Sequence, residues 1–186
     1  MKVIIFIGSV ESGANSTASI ISNYLLKRLK EKNIETTVFN LSQEAIPMLD
    51  FSFPETPQTV KNMTEQFLAA DTHFWLAPLY HGSIPGAMKN CLDWLETTSR
   101  LPKPYLTDKK VATICWADGV QAMNGINAME NISKALRAWS LPYSVPVARK
   151  ELMDTEKEGA ISGFYTEKLD RLIETAVSRK IFVKEV

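Results

Sequence analysis

The chain has 186 residues, of which 45% are hydrophobic and 23% charged, as in an ordinary globular protein. Its 21 basic and 21 acidic residues give a formal net charge of zero, which favours neither nucleic acid as a partner nor the acidic docking surface of an electron carrier. No apolar run approaches the ~20 residues of a membrane span. The two cysteines form no Cys-x-x-Cys pair, which favours reduced, buried thiols. We therefore expect a single cytoplasmic domain over residues 1–186, with no nucleic-acid or membrane partner.

Strand and helix patterns alternate along the whole chain. The strands are predicted at 2–7, 35–41, 72–77, 110–116 and 141–147, and the helices at 18–32, 59–70, 86–99, 124–140 and 166–180. This alternation predicts an α/β fold with three α/β/α layers around a doubly wound, five-stranded parallel sheet of order 2-1-3-4-5. The irregular stretch 42–58 fits a substrate lid and a passive connection equally well. Inside the strands, we expect His73 and Trp75 to be structural, and Trp139 to join the core.

The first strand leads through a loop of small polar residues, 8–17, into the first helix. Asn15 or Ser16 is a good N-cap for that helix. A helix N-terminus behind such a loop suits an anion, although an ordinary well-capped turn explains the same residues. The loop lacks the Gly-Lys-Ser/Thr ending of a nucleotide triphosphatase, and Gly8 and Gly13 are five positions apart, which does not fit a dinucleotide-binding turn.

Two further loops follow the third and fourth strands. The third strand runs into the motif Pro-Leu-Tyr-His-Gly-Ser-Ile-Pro-Gly at 78–86, and the fourth into Ala-Asp-Gly-Val-Gln at 117–121. In a parallel sheet of this order, the loops after strands one, three and four lie at one edge, where ligands bind. A phosphate at the first loop and a flat ring between the other two describe FMN.

On these motifs, the chain resembles the NADPH-dependent FMN reductase family of the flavodoxin-like superfold. The matches after the third strand are Pro78, Tyr80, Ser83, Pro85, Gly86, Lys89, Asn90, Asp93 and Trp94, and those in the first loop are Gly8, Ser9, Asn15 and Ser16. Two features depart from the family pattern. The first loop has Glu11 or Ser12 near the place of an arginine, and Asp118-Gly119 replaces a more glycine-rich run.

The resemblance implies an FMN-dependent oxidoreductase that takes hydride from NADPH or NADH. Its partner is a small-molecule electron acceptor: a quinone, an azo compound, a metal oxyanion or free flavin. The flavin carries the chemistry, so no catalytic protein residue and no metal site are expected. The expected FMN-binding residues are Ser9, Asn15, Ser16, Thr17, Pro78, Leu79, Tyr80, His81, Gly82, Ser83, Trp116, Asp118 and Gly119.

Some alternatives remain open at this point. His81 could bind the flavin through its imidazole, or be a surface residue whose backbone N–H does so. The resemblance also implies a homodimer or a dimer of dimers, with the helix after residue 85 in the interface. A flavodoxin-like electron carrier and a flavin-binding module without NAD(P)H activity are the alternative functions. The residues Gly8-Ser9 and Tyr80-His81 argue against a phosphoacceptor domain, which needs acidic groups at those places.

Overall fold

A parallel β-sheet with helices on both faces forms the centre of the computed structural model, which describes residues 1–11 and 13–178. The strands are β1 (Lys2–Ile7), β2 (Glu35–Asn40), β3 (Thr72–Pro78), β4 (Lys110–Ala117), β5 (Trp139–Ser140) and β6 (Val145–Ala148). The helices are α1 (Thr17–Glu31), α2 (Gln58–Ala69), α3 (Gly86–Asp93), α4 (Ala122–Ala135) and α5 (Gly163–Val177). Short 3₁₀ helices cover Leu41–Gln43, Trp94–Thr98 and Arg149–Glu151.

The order of the sheet is β2-β1-β3-β4-β5, as the sequence predicts. Strand β6 also pairs with β4, on the same side as β5 but nearer the carboxyl end of β4. All the pairings are parallel. The predicted fifth strand, 141–147, is therefore wrong in its bounds: two short strands replace it, one on either side of residues 141–144. Pro142 lies in that gap, and proline has no N–H to continue a ladder.

The central strands are apolar throughout because both faces of the sheet are covered. Every residue of β3 is buried, and so is β1 beyond its first residue. Apolar side chains of α1 and α5 pack on one face, and those of α2, α3 and α4 pack on the other. Among the described residues, no helix has the length and apolar character needed to cross a membrane.

Two predictions about the fourth helix and its end are wrong. The helix stops at Ala135 rather than residue 140, because Arg137 takes a left-handed conformation (φ 64°) and the chain then enters β5. Trp139 is 65% exposed, since it stands on this short strand at the edge of the sheet, whereas Trp75 in the central strand is fully buried. The predicted helix 166–180 begins earlier, at Gly163, and residues 179–180 lie outside the described residues.

Hydrogen bonds attach the middle of the irregular stretch between β2 and α2 to helix α3 and to Trp94, which follows it. The Asn90 side chain accepts a hydrogen bond from the Leu49 N–H and donates one to the Pro47 carbonyl, both at 2.8 Å. The Trp94 indole donates to the same carbonyl at 2.8 Å. Asn90 and Trp94 are thus buried by this stretch, in which Met48, Phe51 and Phe53 stay exposed.

His73 lies on β3 with its side chain completely buried. Its Nε2 is 3.0 Å from the Phe67 carbonyl, which accepts the hydrogen bond, while Nδ1 has no partner. Burial lowers the pKa of His73 to about 3, and the nearby Lys109 charge acts in the same direction. The imidazole is therefore a neutral structural group that carries its proton on Nε2.

This burial predicts a loss of stability in mild acid. The folded pKa of His73 lies below its unfolded value of 6.5, so the unfolded chain binds the extra proton first and stability falls as the pH drops below 6.5. Between pH 7 and pH 5 the expected contribution is a loss of about 2 kcal/mol. Urea unfolding of the wild type and of His73→Gln at both pH values measures it, because glutamine can still donate to the Phe67 carbonyl. An equal loss in both proteins would contradict the prediction.

Candidate functional site

Four strand ends surround a cleft at the carboxyl edge of the sheet. It has a volume of about 150 Å³ and is lined by Glu11, Pro78, Leu79, Tyr80, Trp116, Ala117, Asp118 and Arg149. These residues follow or end β1, β3, β4 and β6. Because parallel strands bring their carboxyl ends to one edge, residues far apart in the sequence meet here.

The first wall is the loop after β1, which leaves the sheet in close contact with α3. The Gly8 N–H donates to the Leu76 carbonyl at 2.8 Å, which continues the β1–β3 pairing. A Cβ atom on Gly8 would lie 2.3 Å from the Met88 sulfur, so the close approach requires glycine. Ser9 is fully buried, and its Oγ accepts a hydrogen bond from the Glu11 N–H at 3.1 Å. The Ser9 hydroxyl therefore shapes the loop that carries Glu11 into the cleft.

Helix α1 begins beside this wall. Ser16 is the N-cap, as one of the two predicted options, and its Oγ accepts from the Ser19 N–H at 3.2 Å. Asn15, the other option, is exposed just before it. The first N–H groups of a helix have no partner within it, so those of Thr17 and Ala18 lie at the positive end of the helix dipole. This helix end is suited to an anion.

The second wall is a tight hairpin after β3. Tyr80 and Ser83 exchange backbone hydrogen bonds at 2.8 and 3.1 Å. His81 (φ 49°) and Gly82 (φ 88°) form its tip, and both take the left-handed conformation typical of a two-residue hairpin turn. The N–H groups of these two residues stand outside the pairing of Tyr80 with Ser83. His81 is exposed at the tip, next to Tyr80, and its side chain is not among those that line the cleft.

The third wall is the end of β4. Trp116 is buried there, its carbonyl accepts from the Leu79 N–H at 2.8 Å, and its indole N–H makes no hydrogen bond. Asp118 follows and is exposed, and one of its oxygens lies 2.6 Å from Nη2 of Arg149. Gly119 stands beside Asp118, where a Cβ atom would approach the Gln121 Oε1 to 2.9 Å.

Arg149 is a site residue that the sequence analysis missed. It comes directly after β6, and the register places Val147 beside Trp116 and Ala148 beside Ala117. Its place just after the predicted fifth strand could have indicated this role. Pro142 and Pro146 made the end of that strand difficult to predict.

A hydrogen bond between Tyr80 and Glu11 spans the mouth of the cleft. The Tyr80 hydroxyl donates to Oε1 of Glu11 at 3.4 Å, a long hydrogen bond that joins the first wall to the second. Burial, then the Glu11 charge, raises the pKa of Tyr80, against a smaller opposing effect of Arg149. The phenol is therefore a hydrogen-bond donor at neutral pH. Glu11 lines the cleft and is half-buried there.

The predicted site residues fall into three groups. Pro78, Leu79, Tyr80, Trp116 and Asp118 line the cleft itself. Ser9, Asn15, Ser16 and Thr17 lie in the loop and helix end beside it, and His81, Gly82, Ser83 and Gly119 lie on the turns at its rim. Apolar walls next to a helix N-terminus fit a flat ring with a phosphate tail. The turn amides of His81 and Gly82, which stand outside the pairing of Tyr80 with Ser83, add donors to the fit.

Comparisons with known proteins agree with this geometry. The model of the NADPH-dependent FMN reductase family matches residues 1–151. The FMN-dependent NADPH-azoreductase of Staphylococcus aureus is 31% identical over 150 residues, which cover 78% of this chain and 76% of that protein.

Two solved structures share the fold. An oxidoreductase from Corynebacterium diphtheriae superimposes with a TM-score of 0.71 at 19% identity, covering 95% of this chain and 94% of that one. A flavoenzyme NAD(P)H:(acceptor) oxidoreductase from Paracoccus denitrificans gives 0.71 at 18% identity, covering 94% and 96%. The chain thus belongs to the NADPH-dependent FMN reductase family, and it is an oxidoreductase with FMN as its cofactor and NADPH as its reductant.

Proposed function

We propose that the cleft at the carboxyl edge of the sheet holds the FMN ring, and that the enzyme reduces small azo or quinone acceptors in the cytoplasm. The observation that carries this proposal is the meeting of four strand ends around apolar walls, directly beside the N-terminus of α1. The domain that performs the reaction would span residues 1–186.

The phosphate end would rest on α1. The first-turn N–H groups of Thr17 and Ala18, together with the exposed Asn15 side chain, would supply donors at the positive helix end. No arginine stands in this loop, so binding would depend on backbone amides and hydroxyls rather than on a guanidinium fork.

The ring end would lie between the β3 hairpin and Trp116. Pro78 and the half-buried Leu79 supply apolar surface on one side, and Ala117 does so on the other, because the Trp116 ring beneath it is 1% exposed. The turn amides of His81 and Gly82 are placed at the rim, where they could donate to ring carbonyls. This assigns the His81 role to its backbone, because its side chain stands exposed at the tip of the hairpin.

Bound FMN supplies the redox chemistry: it accepts hydride from NADPH and passes the electrons to an acceptor. The side chains around it hold and orient the reactants and limit the access of water. Tyr80, kept protonated by its raised pKa, would donate a hydrogen bond at the mouth of the cleft. This division of work needs no nucleophile from the protein.

Azo and quinone acceptors are proposed on two grounds. The Staphylococcus aureus relative carries the name NADPH-azoreductase, and the cleft is lined by Leu79 and the Tyr80 ring, which suit a flat acceptor. An electron carrier without NADPH activity is disfavoured because the chain has no net acidic charge for docking.

We also propose a homodimer that uses the segment held by α3. Exposed Met48, Phe51 and Phe53 lie on this segment, and the Phe53 ring is 6.2 Å from that of Trp94. Three large apolar side chains on one short stretch are typical of an interface between proteins. The exposed Lys89–Asp93 pair on α3 adds a polar rim.

The first test is spectroscopic. The purified protein is expected to be yellow, to bind one FMN per chain, and to oxidise NADPH when an azo dye or a quinone is supplied. Flavin absorbance and an anaerobic NADPH titration measure both properties. A colourless protein that leaves FMN fluorescence unchanged on titration would contradict the proposal, and flavin that NADPH fails to reduce would indicate a carrier.

Replacing Glu11 should tighten FMN binding. Glu11→Gln keeps an acceptor for the Tyr80 hydroxyl and removes a negative charge that opposes an anionic ligand. The expected gain in affinity is about threefold to tenfold at low ionic strength, and it shrinks as salt screens the charge. Quenching of FMN fluorescence at two salt concentrations measures it. Glu174→Gln, the same change on the exposed side of α5, is the control and should have no effect.

The dimer has its own test. The double variant Phe51→Glu/Phe53→Glu should sediment as a monomer, because charges on an apolar interface disfavour association. Phe164→Glu is the matched control: this side chain is 58% exposed on α5, away from the proposed interface, so the variant should remain a dimer. A wild type that sediments as a monomer would refute the proposal.

A further inference from the structure

Arg149 is the one cationic side chain among the described residues that line the cleft, and it faces two carboxylates there, Glu11 and Asp118. The ligands of this family are anions, since FMN carries one phosphate group and NADPH carries three. Negative charge at the cleft opposes such ligands unless a cation meets them. The position of Arg149 and its ion pair with Asp118 therefore indicate whether it binds the phosphate of FMN or a phosphate of NADPH.

The register of the sheet places Arg149 far from the helix end proposed for the FMN phosphate. That helix follows β1, whereas Arg149 follows β6, and the order β1-β3-β4-β6 leaves three strand spacings between them. At about 4.8 Å per spacing, the ends of β1 and β6 are about 14 Å apart along the sheet edge. Arg149 thus stands on the opposite side of the proposed ring seat, where a second anionic ligand would meet it.

The present partner of Arg149 is easily exchanged. Its Nη2 lies 2.6 Å from Oδ1 of Asp118, but the two side chains are 45% and 69% exposed. An ion pair so open to water contributes little, because solvent and salt screen both charges. A phosphate group offers the guanidinium an anionic partner with geometry for two parallel hydrogen bonds.

We propose that Arg149 anchors a phosphate group of NADPH, and that Asp118 is the resting partner from which the arginine turns when the dinucleotide binds over the flavin. Asp118 then has a defined effect: it competes with the dinucleotide for Arg149. This inference rests on the proposed position of the flavin in the cleft.

The test is a binding measurement on the FMN-saturated enzyme. NADP⁺, which cannot transfer hydride to the flavin, is titrated by calorimetry, so the readout is affinity and not turnover. Arg149→Gln should weaken NADP⁺ binding about tenfold or more, and Arg149→Lys should fall between it and the wild type. Asp118→Asn should tighten binding about twofold to fivefold, because it frees the arginine.

Lys150 provides the matched control. It is the next residue in the chain and also exposed, but it lines a different cavity, so Lys150→Gln removes the same charge without touching the cleft. This variant should bind NADP⁺ within about twofold of the wild type. A parallel titration with NAD⁺ separates the phosphates: a loss for NADP⁺ alone assigns Arg149 to the 2′-phosphate, and an equal loss for both assigns it to the pyrophosphate.

Two results would overturn the inference. One is an Arg149→Gln enzyme that binds NADP⁺ as the wild type does. The other is an Asp118→Asn enzyme that loses as much affinity as Arg149→Gln, because the pair would then be a structural clamp. A wild type that fails to bind FMN would instead remove the proposed function, so the two failures are distinguishable.

Discussion

The parallel pairing of β1, β3 and β4 is the constraint on which the rest of the structure depends. These strands are buried on both faces, so their backbone groups must pair with one another and their side chains must be apolar. Parallel pairing also puts every carboxyl end at the same edge. The loops there are released from the core and can carry polar groups, which is why the cleft forms at this edge.

The polar side chains in and beside the cleft are of two kinds: some are used in hydrogen bonds within the protein, and others are available to a ligand. Ser9 and Ser16 use their hydroxyls to build the loop and the helix cap, so their contribution to the site is mainly to shape it. Glu11, Asp118 and Arg149 lie at the surface of the cleft, where their charges act on whatever binds. The one cationic side chain among the described residues that line the cleft thus comes from the end of β6, and not from the loop after β1.

Much of the fold was predictable because periodicity reports burial directly. The first strand was predicted with its observed bounds, and the order of the sheet followed from alternating elements. The errors cluster after residue 135, where β5 and β6 are two and four residues long. Strands this short carry no clear alternation, and a left-handed turn at Arg137 is not encoded by any glycine. The predicted burial of Trp139 is wrong for the same reason. The exposure of a side chain at the edge of a sheet depends on neighbours that the local sequence does not specify.

The sequence by itself determined the family and the three loops at the carboxyl edge of the sheet, because each is a local pattern next to a strand end. Only the tertiary structure decided which charges meet. Glu11 reaches Tyr80 across 69 positions of the chain, and Asp118 after β4 reaches Arg149 after the neighbouring strand β6. Such contacts depend on the register of neighbouring strands and on side-chain direction, which are properties of the assembled sheet and not of any single segment.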